Sequence, residues 1–287
     1  MRSHPSEYEL VAPGALSTVL DLLAKEPGVW MPIAGGTELM VQYGAGRLPA
    51  RKLVSLWGLP ELRGIESTAH EVLIGAGCTY TDLRKDPVVA REFPLLVQAA
   101  SWTGSIANQS RGTLGGNIVN ASPAADSLPA LMVYEAELLL TSARGTRRMP
   151  YVEFHTGYKQ TKLAVDEIIS AIALQPRFSG YHGYSRKVGT RNAQAIAKLC
   201  LAGLGKISGA QIDDVRLAIG SMAVTPVRLR RTEEILLGQP YSAGLMSDAR
   251  QAMEAEVAPI DDIRSSALYR LHVARNLLQE FVEGLFA

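Results

Sequence analysis

The chain has 287 residues, 47% hydrophobic and 20% charged, with 29 basic against 28 acidic side chains. That length exceeds the ~100–200 residues of one ordinary domain, and the composition is far from that of disordered chains, so a folded protein of two or three units is expected. Nearly cancelling charges give no global field for nucleic acid or an anionic membrane surface, and the short basic clusters at 144–148 and 228–231 read as solvated turns or helix faces.

The two cysteines, Cys78 and Cys200, lie far apart in apolar stretches and read as buried free thiols. An iron–sulfur cluster takes more thiolate ligands than this chain has. His4, His70, His155, His182 and His272 are scattered without metal-ligand spacing, so no metal site is expected. The start, Met1-Arg2-Ser3-His4-Pro5-Ser6-Glu7, has no apolar signal core, and no run approaches the ~18 apolar residues of a membrane span. A reducing cytoplasm is the expected location.

In chain order, Leu16, Val19, Leu20 and Leu23 have helical spacing between Pro13 and Gly28. A strand at 29–34 runs into Gly35-Gly36-Thr37, residues 38–41 read as helix, and 52–56 as strand, so residues 1–55 form a small α/β unit. A strand follows at 72–76, then short helices over 79–101 broken by Pro87 and Pro94. Residues 104–123, crowded with small and polar side chains and lacking periodicity, read as one long loop of functional type. A helix at 126–135, a hairpin of 138–140 with 147–149 and a strand at 167–174 close a second unit spanning 56–177. From 178 to 287 the pattern is strands near 195–204 and 215–219, then helices near 225–237, 242–254 and 265–285: a separate α+β unit.

Gly75-Ala76-Gly77-Cys78-Thr79-Tyr80 begins like a dinucleotide fingerprint, but Tyr80 stands where close helix packing needs a small residue, so the Rossmann reading is rejected. No phosphate loop of the nucleotide-hydrolase type occurs. In Ala34-Gly35-Gly36-Thr37-Glu38, paired glycines allow backbone N–H groups to face a ligand, the following helix start favours negative charge, and Thr37 adds a hydroxyl. Thr113-Leu114-Gly115-Gly116-Asn117 is a second such loop. Each alone is more often a tight turn; the two together suggest a pyrophosphate cradle.

With these loops, the chain resembles the FAD-binding medium subunits of the xanthine dehydrogenase and carbon monoxide dehydrogenase group of molybdenum hydroxylases. Further anchors are Arg111-Gly112 before the second loop, Asn120-Ala121-Ser122-Pro123-Ala124-Ala125-Asp126, Gly157-Tyr158, Asp166-Glu167-Ile168-Ile169, Arg186-Lys187 and Ala218-Ile219-Gly220. The stretch from Gly115 to Asp126 is the most specific, and the resemblance covers nearly the whole chain. It implies a p-cresol methylhydroxylase type FAD-binding fold of two α/β subdomains, plus a C-terminal α+β domain with a small antiparallel sheet and helices.

The resemblance further implies that FAD is held by Pro32-Ile33-Ala34-Gly35-Gly36-Thr37-Glu38-Leu39 and by Thr113-Leu114-Gly115-Gly116-Asn117. It places Asp126 on the cofactor, although Asp126 is also placed to cap the helix after it. Ile169 and Lys187 fall near the flavin ring, with Lys187 able to stabilise negative charge there, and Thr103 is a weaker match. No catalytic acid or base is expected. The implied role is electron transfer: from two [2Fe–2S] clusters of a small subunit, fed by the molybdenum cofactor of a large one, through FAD to an external acceptor, in a dimer of heterotrimers. The alternatives are a self-contained flavin oxidase acting on an alcohol or phenol, and a scaffold subunit without flavin.

Overall fold

A computed structural model describes residues 4–191 and 193–287; Asn192 and the opening Met1-Arg2-Ser3 lie outside the described residues. The architecture is mixed α and β, with three main sheets and their helices arranged along the chain. Near the amino terminus come β1 (Glu9–Val11), α1 (Leu16–Lys25), β2 (Trp30–Ile33), α2 (Leu39–Gly44) and β3 (Lys52–Ser55). The strands form a parallel sheet in the order β1-β3-β2. Helix α1 buries Val19, Leu20 and Leu23 against Trp30 and Val54, the stripe its three-and-four spacing sets up. Because the strands are parallel, their carboxyl ends share one edge, and the Gly35-Gly36 turn leaves from that edge.

Strands β4 (Ile65–Ser67) and β5 (Val72–Gly75) precede α3 (Tyr80–Lys85), α4 (Pro87–Glu92), α5 (Pro94–Trp102), α6 (Ile106–Gln109), α7 (Leu114–Asn120) and α8 (Leu128–Val133). Then follow β6 (Glu137–Ser142), β7 (Gly145–Pro150), the small hairpin of β8 (His155–Gly157) and β9 (Gln160–Thr161), and β10 (Ile168–Leu174). The main sheet here is antiparallel, in the order β4-β5-β10-β6-β7. Pro87 and Pro94 open helices α4 and α5, where a missing N–H costs nothing, and the Asp86 carboxylate caps α4 by accepting from the N–H groups of Val88 and Val89 at 2.9 Å each. Residues 104–123 are not the single loop expected: they contain α6 and α7, too short to give a readable helical period.

The last sheet holds β11 (His182–Val188), β12 (Leu199–Ser208), β13 (Gln211–Gly220) and β14 (Val227–Arg228), antiparallel in chain order, followed by α9 (Arg230–Leu236), α10 (Ala243–Glu256) and α11 (Ala267–Leu285). It is covered on both faces. Leu199 and Leu201 of β12 join the core with α11, whereas Ala202 and Leu204 join the core containing α5 and α8. Gly203 and Gly205 face α11 so closely that an added Cβ would meet Phe281 at 2.8 Å and Leu285 at 2.5 Å. The cluster 228–231 is the solvated helix face its charge suggested only in part: Arg230 and Arg231 are exposed, but Arg228 is buried, clasping Glu233 and donating to the carbonyl of Met132 at 3.0 Å. Among the described residues no helix is long and apolar enough to cross a membrane.

Candidate functional site

The first glycine loop joins β2 to α2 at the carboxyl edge of the parallel sheet, where open α/β sheets place their ligands. Gly36 has φ +76°, a left-handed conformation that glycine adopts without strain. The loop is partly open to solvent, with Thr37 and Glu38 exposed. Among the described residues, the N–H groups of Gly35, Gly36, Thr37 and Glu38 have no acceptor in the chain, while the Gly36 carbonyl accepts from the Met40 N–H at 2.9 Å. Four adjacent unmet donors at a helix start suit the oxygens of a phosphate.

The second loop lies directly against the first. A Cβ on Gly35 would sit 1.6 Å from the carbonyl oxygen of Arg111, so the two backbones touch there. The second loop uses its glycines differently. Leu114 and Gly115 donate to the carbonyls of Cys78 and Ala76, both at 2.9 Å, and Gly116 donates to the Thr113 hydroxyl at 3.1 Å, which caps α7. Gly115 is glycine for packing: a Cβ there would meet that of Ala76 at 2.6 Å. Gly75 and Gly77, the false dinucleotide motif, likewise press on the Leu62 carbonyl, and Tyr80 is buried at the start of α3.

From the second loop the site continues toward the last sheet. Ser127 donates to the Asn117 side-chain oxygen at 2.7 Å, and its neighbour Asp126 receives the Lys187 ammonium of β11 at 2.6 Å on Oδ2. Lys187 also donates to the carbonyl of Trp102 at 3.0 Å. The side chains of Asp126 and Lys187 are only 8% and 11% exposed, and Asp126 Oδ1 is buried with no donor among the described residues. Burial drives the Asp126 carboxyl up to about 6, against the lowering effect of Lys187. Asp126 does not cap α8; Ser127 stands at that position, and no side chain caps the helix. Burial raises the Tyr80 phenol, beside Ser127 and Asp126, and the Cys200 thiol, which donates weakly to the Asp126 carbonyl at 3.7 Å. Both cysteines are free and buried.

Of the other two residues expected at the ring, Thr103 follows α5, its hydroxyl spent on the Ala99 carbonyl at 3.0 Å. Ile169 is 4% exposed on β10, next to a bulge at Ser170 whose carbonyl takes the Ala76 N–H at 2.9 Å. Thus the bulge, Ala76 and Gly115 form one stack joining β10 to the second loop.

Lys159 and Trp102 escaped the sequence reading, and Arg111, an anchor of the resemblance, was given no role in the site there. Arg111 stacks on the Trp57 indole at 3.8 Å, with Arg63 on the same ring at 4.4 Å, placing cations by the first loop. Lys159, at the tip of the β8–β9 hairpin, pairs with Glu38 at 3.5 Å and donates to Asn120 at 2.7 Å, tying that hairpin to both α7 and the first loop. Trp102 lies one residue past the helical stretch read over 79–101 and was not singled out. None carries a local signal, because each matters through a contact far along the chain. A cleft of ≈ 610 Å³ opens beside Trp102 and Lys187, bounded by Val188, Gly189 and Leu277. Among the described residues no three His, Cys, Asp or Glu side chains gather as a metal ion would require.

Residues 6–176 match the family model described as the FAD binding domain in molybdopterin dehydrogenase, and residues 184–285 match the CO dehydrogenase flavoprotein C-terminal domain. The chain is 30% identical over 274 residues to a xanthine dehydrogenase FAD-binding subunit of Escherichia coli O157:H7, covering 95% of this chain and 94% of that one. It is 29% identical to the glyceraldehyde dehydrogenase medium chain of Sulfolobus acidocaldarius, with 96% of each chain covered. Among solved structures, the carbon monoxide dehydrogenase of Hydrogenophaga pseudoflava superposes with a TM-score of 0.93 at 26% identity, over 98% of this chain and 97% of that one. The chain belongs to the FAD-binding medium subunits of the molybdenum hydroxylase family, flavoprotein components of oxidoreductase complexes such as xanthine and carbon monoxide dehydrogenase.

Proposed function

We propose that this subunit takes electrons from [2Fe–2S] clusters of a small partner subunit and passes them, through FAD, to an external acceptor. Substrate oxidation then occurs at the molybdenum cofactor of a large partner subunit, in a dimer of heterotrimers. The observation that carries the reading is the row of unmet N–H groups from Gly35 to Glu38 at the carboxyl edge of the parallel sheet. Residues 32–39 would hold the pyrophosphate, with the second loop, residues 113–117, as the wall that fixes them. Thr103, Ile169 and the Asp126–Lys187 pair would border the ring.

Bound FAD supplies redox chemistry able to exchange single electrons with iron–sulfur centres and pairs of electrons with an acceptor. The chain's own tasks are to bind, to hold the Lys187 ammonium beside the ring, and to keep the acid-base groups of the site away from reactive roles: the Tyr80, Asp126 and Cys200 side chains are all buried. Relatives of comparable identity are named for xanthine, glyceraldehyde, carbon monoxide and nicotinate, which supports placing substrate choice in another subunit. The three main sheets support a division into units at 1–55, 56–177 and 178–287. Two free buried thiols fit a reducing cytoplasm.

The test is coexpression with the iron–sulfur and molybdenum subunits encoded in the same host, followed by mixing the flavin-loaded chain with prereduced iron–sulfur subunit under anaerobic conditions. Copurification and bleaching of the flavin absorbance are expected. Turnover of an alcohol or phenol by the isolated chain, with no transfer from the iron–sulfur subunit, would overturn the reading in favour of a self-contained oxidase.

A further inference from the structure

The surroundings of Lys187 carry an inference that rests on the FAD reading above and deepens it. Two acceptors on separate elements, the Trp102 carbonyl at the end of α5 and Asp126 Oδ2 before α8, fix the ammonium from both sides. Asp126 is itself anchored: its carbonyl takes the Cys200 thiol, and its neighbour Ser127 is tied to Asn117 of the second loop. Lys187 Nζ has three N–H donors, and these contacts use two. Among the described residues the carboxylate's one side-chain partner is the lysine, for Oδ1 has no donor.

We propose that Asp126 is a positioning residue: it aims the Lys187 ammonium and offsets its charge, so that the pair sets the reduction potential of the flavin beside it. An ammonium and a carboxylate in contact present a dipole to a third group, and a dipole acts far more weakly than a free charge in a poorly solvated site. Removing the carboxylate charge while keeping its shape leaves Lys187 as a full cation. That cation favours the more negative, reduced ring. Removing the lysine instead takes away the positive end of that dipole, and the buried carboxyl, which only the lysine holds down, takes up a proton; the ring loses its favourable partner without gaining a negative one, and the shift is reversed.

The experiment measures the midpoint potential of bound FAD and its dissociation constant in the full-length chain, for wild type, Asp126→Asn, Asp126→Glu, Lys187→Met and the Asp126→Asn/Lys187→Met double variant. Asp126→Asn is expected to shift the two-electron equilibrium toward reduction about tenfold, equivalent to about 30 mV to the positive side, with FAD affinity held within about threefold. Asp126→Glu, which keeps the charge, should stay near wild type. Lys187→Met should shift to the negative side, and in its background Asp126→Asn should no longer produce a positive shift beyond that of the lysine variant alone. Loss of FAD affinity in Asp126→Asn with an unmoved potential would overturn the proposal and make Asp126 a direct ligand. A positive shift that persists without Lys187 would overturn it too. A wild-type chain that takes up no FAD would overturn the cofactor reading itself, and this proposal with it.

Discussion

The carbonyl oxygen of Arg111 lies 1.6 Å from the place a Cβ on Gly35 would occupy. The two glycine loops are therefore a single object: the first keeps its N–H groups free because the second, fully engaged with Ala76 and Cys78, supports it from behind.

Gly35→Ala forces the loops apart, since the obstacle is backbone and has no rotamer to change. Overpacking of this kind costs about 1–3 kcal/mol or more, and here the displaced atoms are those of the cradle. The expected outcome is a lower melting temperature and FAD affinity reduced at least about tenfold by fluorescence titration. Gly116→Ala is the comparison: it is exposed, its Cβ would meet only the Thr113 hydroxyl at 2.8 Å, and it should cost about 1 kcal/mol through the weakened helix cap. Unchanged affinity in the Gly35→Ala variant would contradict the close-contact account.

Arg228 and Glu233 join the last sheet to α8. The Glu233 carboxylate accepts from the Leu217 N–H at 2.6 Å and from Arg228, while Arg228 reaches the Met132 carbonyl at 3.0 Å. Arg228→Ala strands a buried carboxylate and should destabilise by about 3–5 kcal/mol in chemical denaturation. Arg228→Met combined with Glu233→Gln should recover a large part of that loss, because the amide oxygen still serves Leu217 and no charge is left unpaired.

The Asp126 carboxyl titrates at about 6 in the folded chain against the ordinary 3.8. The folded state thus binds this proton more tightly than the unfolded chain. Its contribution to stability is complete below about pH 4 and is lost as pH rises through about 6. Other carboxylates move in the opposite direction; Arg148 holds Glu71 down and Arg144 holds Asp166 down. The readout is therefore a difference. Stability of wild type minus that of Asp126→Asn should fall by on the order of 3 kcal/mol between about pH 4 and 6 and stay level above. A difference independent of pH would contradict the buried pair.

Most elements whose pattern is local were legible in the sequence. Leu16, Val19, Leu20 and Leu23 announced α1, and Pro87 and Pro94 marked two helix starts. Strand β11 was missed because His182, Gly183, Tyr184, Ser185, Arg186 and Lys187 read as polar, which suits an edge strand paired only with β12. Helices α6 and α7 were hidden in the supposed loop because their contacts are made by small residues, as where Gly115 rests on Ala76. Resemblance supplied Asp126 and Lys187 as separate points. That they form one ion pair depends on β11 lying against α5, which brings Lys187 to the segment just before α8, a relationship no local pattern encodes.

Whether the Gly35–Glu38 donors hold FAD is read from the absorbance spectrum of the purified chain before and after acid release of its chromophore. A flavin spectrum is expected, with FAD as the released species, and its loss in the Gly35→Ala variant. A colourless wild-type protein that also fails to take up added FAD would contradict FAD binding by these donors.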